Sequence, residues 1–160
     1  IEVIMHPESM IHALVGFADG APMAHVGPAD MRHAIGFALN HPQRRKLPVE
    51  RLDLARIGGL SFRAPDTARW PALRLAREVM QIGGLAGAAF NAAKERALDG
   101  FLDGALRFTD MAVVVEQVLA RLERDTVLKC DQLRLDHVTQ VDHLARVTAA
   151  EAIVRLNINA

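Results

Sequence analysis

The sequence has little of what would mark several common classes of protein. Of its 160 residues one, Cys130, is a cysteine, too few for an internal disulfide or a thiolate metal cage and typical of a reducing compartment. Lys plus Arg and Asp plus Glu both number 19, so no basic excess exists to bind nucleic acid. No apolar run approaches the roughly 20 residues of a membrane span. We therefore expect a cytoplasmic globular protein with no nucleic-acid partner and no membrane partner.

Signatures of a self-contained catalytic site are also missing. His6 and His12 lack the i, i+4 spacing of a helical zinc pair, and no third ligand lies nearby, so we expect no metal ligand in this chain. Ser9 is not in a Gly-x-Ser-x-Gly turn, which leaves a hydrolase without support. Two candidates remain, each with a simpler interpretation. His12 suits a hydrogen-bonded histidine at a strand start, and Met31 suits ordinary core packing.

The first part of the chain has short apolar runs separated by turn-forming residues, a pattern typical of β-structure. It opens with the strand-like run Ile1–Met5 and no initiator methionine, so we expect it to begin inside a longer protein. Apolar runs at Ile11–Phe17 and Met23–Val26 flank Asp19-Gly20, a dipeptide that favours a hairpin turn. Pro22 has no N–H to donate, so it should stand at the very start of the second strand or on an edge. The pattern predicts a β-hairpin.

A short helix and a connector follow the hairpin. The apolar spacing of Met31–Leu39 suits a helix that is N-capped by Asp30. The polar stretch from Gln43 to Arg51 is typical of a surface connector, in which the basic run Arg44-Arg45-Lys46 is most simply a solvated loop. Ser61–Pro65 is a candidate for one further strand.

From Trp70 onward the apolar residues recur with a period near 3.6. Gly83-Gly84 separates the first two helices, and Thr109-Asp110 supplies an N-cap and an acidic first turn to the third. The four predicted apolar faces are Leu73, Ala76 and Met80; Phe90, Ala93, Ala97 and Phe101; Met111, Val114, Val115, Val118, Leu119 and Leu122; and Val141, Ala145, Ala149, Ala152 and Leu156. We predict an α+β fold, in which a short β-hairpin is followed by an antiparallel four-helix bundle.

Several segments, in one order, match a known family. The first is His6-Pro7-Glu8-Ser9-Met10-Ile11-His12, followed by Asp19-Gly20 and then Gly27-Pro28-Ala29-Asp30-Met31-Arg32. The later ones are Leu52-Asp53-Leu54, Leu60-Ser61-Phe62, Ala64-Pro65-Asp66, Asn91-Ala92-Ala93-Lys94-Glu95, Phe101-Leu102 and Arg107-Phe108-Thr109-Asp110. Together they cover nearly all of the chain, which closely resembles the 1-deoxy-D-xylulose 5-phosphate reductoisomerase family. Two positions depart from the family: Ala29 replaces a usual proline and Lys94 a usual asparagine.

The resemblance implies an enzyme that converts 1-deoxy-D-xylulose 5-phosphate to 2-C-methyl-D-erythritol 4-phosphate in non-mevalonate isoprenoid biosynthesis. Its cofactors would be NADPH and a divalent metal, Mg2+, Mn2+ or Co2+. His12 matches the family's catalytic histidine, and Met31 matches a cofactor-binding methionine beside the nicotinamide. In the family, the Gly-rich NADPH domain and the acidic metal ligands precede this segment. Both cofactors would then be bound mainly outside this chain, and we expect the chain alone to be inactive.

The resemblance also implies a division of the chain. Residues 1–32 would end the catalytic domain, residues 33–68 would be the connecting region, and residues 69–160 would form the C-terminal helical bundle. The partners implied are a phosphosugar substrate and a second copy, in a homodimer formed through the catalytic domain. The alternative is a free-standing helical interaction module derived from such an enzyme. A parent gene with an upstream Gly-rich segment and acidic metal ligands would favour the enzyme.

Overall fold

The computed structural model of the chain describes residues 1–125, 127–130 and 132–158. The chain divides into two compact units, Ile1–Pro65 and Asp66–Ala160. Within the described ranges, the first unit holds a two-stranded sheet and two helices, and the second holds four helices. The α+β fold class predicted from the sequence is confirmed. No helix in these ranges is both long enough and apolar enough to cross a membrane.

The predicted hairpin is present in the first unit. Strand β1 (Ile11–Gly16) pairs antiparallel with β2 (Pro22–Val26). The turn is closed by the Phe17 N–H, which donates to the Ala21 carbonyl at 3.0 Å, and by the Asp19 carboxylate, which accepts from the Ala21 N–H at 2.9 Å. β2 begins at Pro22, as predicted from the missing N–H of that residue.

The predicted strands at Ile1–Met5 and Ser61–Pro65 reduce to one bridged pair. Met5 and Arg63 exchange two backbone hydrogen bonds, of 2.8 and 2.9 Å, and no ladder extends from them in the described residues. In an antiparallel ladder the next hydrogen-bonded pairs lie two residues away on either side. They would be Pro7 with Ser61 and Val3 with Pro65, so each pair contains a proline. Neither proline has an N–H to donate, so the pairing stops where it starts.

The two helices of this unit are α1 (Arg32–Asn40) and α2 (Leu54–Ile57). The predicted cap of α1 is wrong by one residue, because Met31 occupies the N-cap position with no side-chain cap bond. Asp30 instead accepts from the Arg32 N–H at 2.9 Å while it also binds the Arg32 guanidinium. The sequence pattern missed α2, since four residues are too few to show a helical period.

The first unit has little buried surface of its own. Of the residues that the structure describes in this unit, only Gly27 is buried. No residue of β1, β2, α1 or α2 is buried. Large apolar side chains on the hairpin and on α1 are exposed; they are Leu14, Val15, Phe17, Met23, Val26, Ile35 and Leu39. The helices α1 and α2 of this unit therefore leave both faces of the hairpin uncovered.

The second unit is built on one apolar core. Its helices are α3 (Pro71–Ile82), α4 (Ala86–Leu102), α5 (Asp110–Arg124) and α6 (Leu135–Ile158). The Leu85 N–H before α4 donates to the Leu128 carbonyl after α5 at 3.0 Å. Because α5 also starts a few residues after α4 ends, these two helices run antiparallel. The large, fully buried side chains of the core are Val114, Val118, Leu122 and Leu128.

The predicted faces of α5 and α6 agree with the buried residues, whereas that of α3 does not. On α3 the buried residues are Leu75 and Val79, at 2% and 8% exposure, while Met80 is 60% exposed. The predicted stripe was thus displaced around the helix. The N-cap predicted at Thr109 also lacks its side-chain bond. The neighbouring Asp110 carboxylate instead accepts from the Arg107 N–H at 3.2 Å.

Helix α4 contacts α3, α5 and α6 and buries almost only small residues. Its buried positions are Ala86, Ala89, Ala92, Ala93, Ala97 and Gly100, while Phe101, which was expected in the core, is 37% exposed. A Cβ at Gly100 would lie 3.1 Å from the Ile153 Cδ1 atom of α6. Small side chains let the neighbouring helix axes approach closely.

Candidate functional site

His12 is the extra residue of a β-bulge at the open end of the hairpin. Ile11 lies opposite Val26 and Ala13 lies opposite His25, so β1 advances two residues where β2 advances one. His12 between them has no partner in the register. Bulges re-aim a side chain and occur frequently beside active sites. In a regular strand, side chains point alternately to the two faces of the sheet. The bulge frees the His12 side chain from this constraint on its direction.

One nitrogen of the His12 imidazole is already used within the chain. Its Nε2 lies 2.9 Å from the Gly27 carbonyl oxygen and 3.2 Å from that of Pro28. Both partners are acceptors, so Nε2 carries the hydrogen and Nδ1 is the acceptor of the neutral ring. The His25 ring lies 5.7 Å away. These contacts match the simpler interpretation of a hydrogen-bonded histidine, and they leave Nδ1 as the ring nitrogen for an external ligand.

Met31, the second candidate, is on the surface of this chain. Its side chain is 71% exposed, so the interpretation as core packing is wrong. It follows the Gly27-Pro28 segment that holds His12 and precedes α1. Hydrogen bonds from Arg32 lower the pKa of the adjacent Asp30 carboxyl to about 2, and Asp30 is therefore ionised at neutral pH.

His6 binds the segment before β1 to a distant part of the same unit. Its Nδ1 lies 2.9 Å from the Ser61 carbonyl oxygen and 3.0 Å from Glu8 Oε2, and its ring stacks on Phe62 at 4.8 Å. The Met10 N–H donates to its Nε2 at 3.1 Å. Hydrogen bonds from Ser61 lower the pKa of the Glu8 carboxyl. His6 is therefore an internal connection, with no ring nitrogen left for a ligand.

Neither a metal cluster nor a nucleophilic triad forms in the part of the chain that the structure describes. No group of three or more His, Cys, Asp or Glu side chains comes together there. Ser9 has a φ of 52°, which places it in the left-handed region between the bonds of His6 and the start of β1. That geometry serves a sharp turn of the chain.

The basic run Arg44-Arg45-Lys46 is exposed, as predicted, but it also lines a cavity of 410 Å³ beside α1. His33 lines the same cavity, and its Nε2 is buried with no hydrogen-bond partner among the described residues. The departure at Lys94 lies elsewhere, on the exposed side of α4 in the second unit.

Sequence reasoning missed two features of this region. It treated His6 only as a failed metal ligand, and it placed His12 on a regular strand. The bond from His6 to Ser61 spans 55 residues, and a bulge depends on the pairing of two strands. Neither feature has a signal in local spacing.

Comparisons with known proteins agree with this architecture. Residues 26–148 match the model of the DXP reductoisomerase C-terminal domain. The 1-deoxy-D-xylulose 5-phosphate reductoisomerase of Ruegeria pomeroyi is 64% identical over 155 residues, which cover 97% of this chain and 39% of the relative. The chain therefore spans about two fifths of the length of that relative.

Two solved structures have the same fold. One is 1-deoxy-D-xylulose 5-phosphate reductoisomerase from Zymomonas mobilis in complex with NADPH, with a TM-score of 0.84 and 39% identity over 95% of this chain and 39% of that one. The other is a DOX-P reductoisomerase in complex with NADPH, fosmidomycin and magnesium, with a TM-score of 0.91 and 35% identity over 96% of this chain and 38% of that one. The family match over residues 26–148 and these likenesses show that the chain belongs to the 1-deoxy-D-xylulose 5-phosphate reductoisomerase family.

Proposed function

We propose that this chain is the C-terminal part of an NADPH- and divalent-metal-dependent reductoisomerase. The longer enzyme would convert 1-deoxy-D-xylulose 5-phosphate to 2-C-methyl-D-erythritol 4-phosphate in non-mevalonate isoprenoid biosynthesis. The observation that carries this proposal is the 64% identity with the Ruegeria pomeroyi reductoisomerase over 97% of the chain. A solved relative in complex with NADPH, fosmidomycin and magnesium supports the choice of cofactors. Because the chain spans 39% of its relative, turnover belongs to the longer protein and the chain alone is inactive.

The division of labour follows the predicted boundaries. Residues 1–32, which hold the hairpin and His12, end the catalytic domain. Residues 33–68 are the connecting region, and residues 69–160 are the supporting helical bundle. The boundary between the two compact units, at Pro65 and Asp66, lies close to the second of these divisions and supports it; the first division rests on the family resemblance alone.

His12 is the residue that we assign to the substrate. With Nε2 bonded to Gly27 and Pro28, its Nδ1 accepts a hydrogen bond from a substrate hydroxyl when the ring is neutral and donates one to a substrate oxygen when it is charged. The exposed thioether of Met31 forms an apolar contact for the nicotinamide. Both assignments are supported by the exposure and position of these side chains.

The described residues fit the two cofactors to different extents. A divalent cation needs several oxygen ligands, and no acidic cluster in the described ranges supplies them. We therefore derive no step through the metal from this chain. For NADPH, Met31 is a contact and not a cradle for the phosphates, so the remaining contacts belong to the longer protein.

The test is substrate-dependent oxidation of NADPH by the full-length protein, with Mg2+ or Mn2+, beside the same assay on this chain alone. Turnover by the full-length protein and none by the chain is expected. His12→Asn should lower kcat/KM by about 100-fold, as loss of a proton-transfer or hydrogen-bonding group does. His143→Asn is the matched control, because His143 is exposed on α6 in the second unit.

Two results would contradict the proposal. A folded full-length protein with no turnover would favour the helical interaction module. Normal turnover by the His12→Asn variant would show that His12 does not act on the substrate, although the proposed activity of the full-length protein would stand. For Met31, the expected effect of Met31→Ala is a higher KM for NADPH at nearly constant kcat, the pattern of lost ground-state binding.

Assembly as a homodimer and a cytoplasmic location complete the proposal. The exposed apolar residues of the hairpin, among them Val15 and Met23, support burial of this surface in the longer protein or its dimer. Analytical ultracentrifugation of the full-length protein would give twice the monomer mass if the dimer forms.

A further inference from the structure

We propose that His6 is a positioning residue for His12, acting through consecutive hydrogen bonds at the open end of the hairpin. The Met10 N–H donates to His6 Nε2 at 3.1 Å, the Gly27 N–H donates to the Met10 carbonyl at 2.9 Å, and His12 Nε2 donates to the Gly27 carbonyl at 2.9 Å. The inference rests on the proposed function, in which His12 contacts the substrate.

The His6 ring, at the start of this series of hydrogen bonds, is held in place by its surroundings. Its side chain is 5% exposed, its ring stacks on Phe62, and its Nδ1 faces the Ser61 carbonyl and the Glu8 carboxylate. Because Met10 presents a donor to Nε2, that nitrogen must be an acceptor, and the hydrogen of the neutral ring lies on Nδ1, where both neighbours are acceptors. Each ring nitrogen thus has the partner that its tautomer requires.

His12 depends on this series because the strand pairing does not hold it. As the bulge residue, it has no partner in the register of β1 and β2. Its imidazole takes its direction from the Gly27 and Pro28 carbonyls. Gly27 is buried, and its N–H is fixed by Met10, whose own N–H is fixed by His6. The effect is mechanical: movement of Met10 moves the acceptor that orients His12.

Four substitutions separate this role from simple stability. His6→Asn keeps a donor near Ser61 but removes the acceptor for Met10. His6→Phe keeps the stacked ring and removes both bonds, and it decides the question if His6→Asn does not fold. His6→Gln offers an oxygen near the position of Nε2 and is the rescue variant. Phe62→Leu removes the stacking and leaves the hydrogen bonds, which makes it the control for stability.

The direct readout is the tautomer of His12, measured from ring ¹⁵N shifts of the histidine-labelled chain at alkaline pH, where imidazoles are neutral. In the wild type, His12 should be the Nε2–H form. His6→Asn and His6→Phe should raise the Nδ1–H fraction about 2- to 10-fold, the factor expected for one weakened hydrogen bond. They should also speed amide exchange at Gly27. His6→Gln and Phe62→Leu should leave the tautomer near that of the wild type.

Kinetics of the full-length protein supply the second readout. Removal of the acceptor should lower kcat about 10-fold through misplacement of His12, with KM for NADPH unchanged, and His6→Gln should recover most of the loss. If the folded acceptor-less variants keep the wild-type tautomer and kcat, the inference is wrong while the proposed function stands. If the wild-type enzyme does not turn over, the proposed function fails, and the tautomer measurement still decides whether His6 orients His12.

Discussion

The turn between α3 and α4 should be the place where a single added methyl group does most damage. Gly84 has a φ of 53°, and a Cβ built on it would lie 2.6 Å from the backbone oxygen of Leu128. The same oxygen accepts the Leu85 N–H at 3.0 Å. Backbone atoms cannot rotate away as a flexible side chain can. Gly84→Ala must therefore strain the backbone and push apart the segments before α4 and after α5.

The magnitude follows from two contributions. A left-handed conformation costs a non-glycine residue about 1–2 kcal/mol, and loss of the Leu85 hydrogen bond adds about 1 kcal/mol. Gly84→Ala should thus lower the free energy of unfolding by about 2–3 kcal/mol. At about 4–8 °C per kcal/mol for a domain of this size, Tm should fall by about 10–20 °C.

Two other glycines make this a controlled experiment. Gly104 has a φ of 75° with nothing within 4 Å of its Cβ position, so Gly104→Ala should show the backbone cost of about 1–2 kcal/mol alone. Gly87 on α4 has open space and no positive φ, so Gly87→Ala should stabilise by up to about 1 kcal/mol. Thermal and urea unfolding followed by circular dichroism measures all three. Equal losses for Gly84→Ala and Gly104→Ala would refute the argument from close approach.

Two further predictions concern the helical unit. Leu122→Ala, at a position 1% exposed, should cost about 2–5 kcal/mol in urea unfolding, whereas Met80→Ala, at 60% exposure, should change stability by less than about 0.5 kcal/mol; similar losses would mean that the α3 face is misassigned. Arg146 bonds Asp142 at 2.8 Å and Glu95 at 2.6 Å, and these bonds lower the pKa of both carboxyls. Folded-state pKa values below the unfolded ones give stability that is present at neutral pH and lost as pH falls through them, so Arg146→Met should lower Tm at neutral pH and lose its effect below about pH 4. A difference in Tm that does not change with pH would contradict the ion-pair explanation.

The sequence was most informative where one periodic signal dominated. On α5 the predicted stripe contains all five buried residues, because valine and leucine alternate there with charged residues at clear helical spacing. On α3 apolar residues stand on more than one side, and neighbouring helices decide which of them is covered. The cap bonds differ from the prediction for a related reason, since Asp30 and Asp110 each bind a nearby arginine. Asp30 accepts from the Arg32 N–H of α1 from the residue before the N-cap, whereas Asp110 accepts from the Arg107 N–H before α5. Thr109 is the N-cap residue of α5 and Asp110 lies in its first turn, as predicted.

The candidate site shows the same limit more sharply. The motif around His12 identified a family and a residue, but its spacing contains nothing about the bulge that frees His12 from the strand. The contact from His6 to Ser61 joins the motif to a segment 55 residues away. Such contacts depend on how the chain folds back, and local periodicity does not encode them.

The composition of α4 determines which kind of mutation can harm it. Its buried face consists of five alanines and Gly100, so truncation has almost nothing to remove there. Enlargement is different, because a Cβ on Gly100 would lie 3.1 Å from the Ile153 Cδ1 atom and 3.3 Å from the Leu106 Cδ1 atom, so these packed side chains would have to move by a few tenths of an ångström. On α5 a substitution can replace a large buried side chain by a smaller one, at a cost in stability that grows with the number of carbon atoms removed. On α4 the tolerated substitutions are those between small residues. The central helix should therefore vary least among related sequences even though its side chains contribute the least apolar surface.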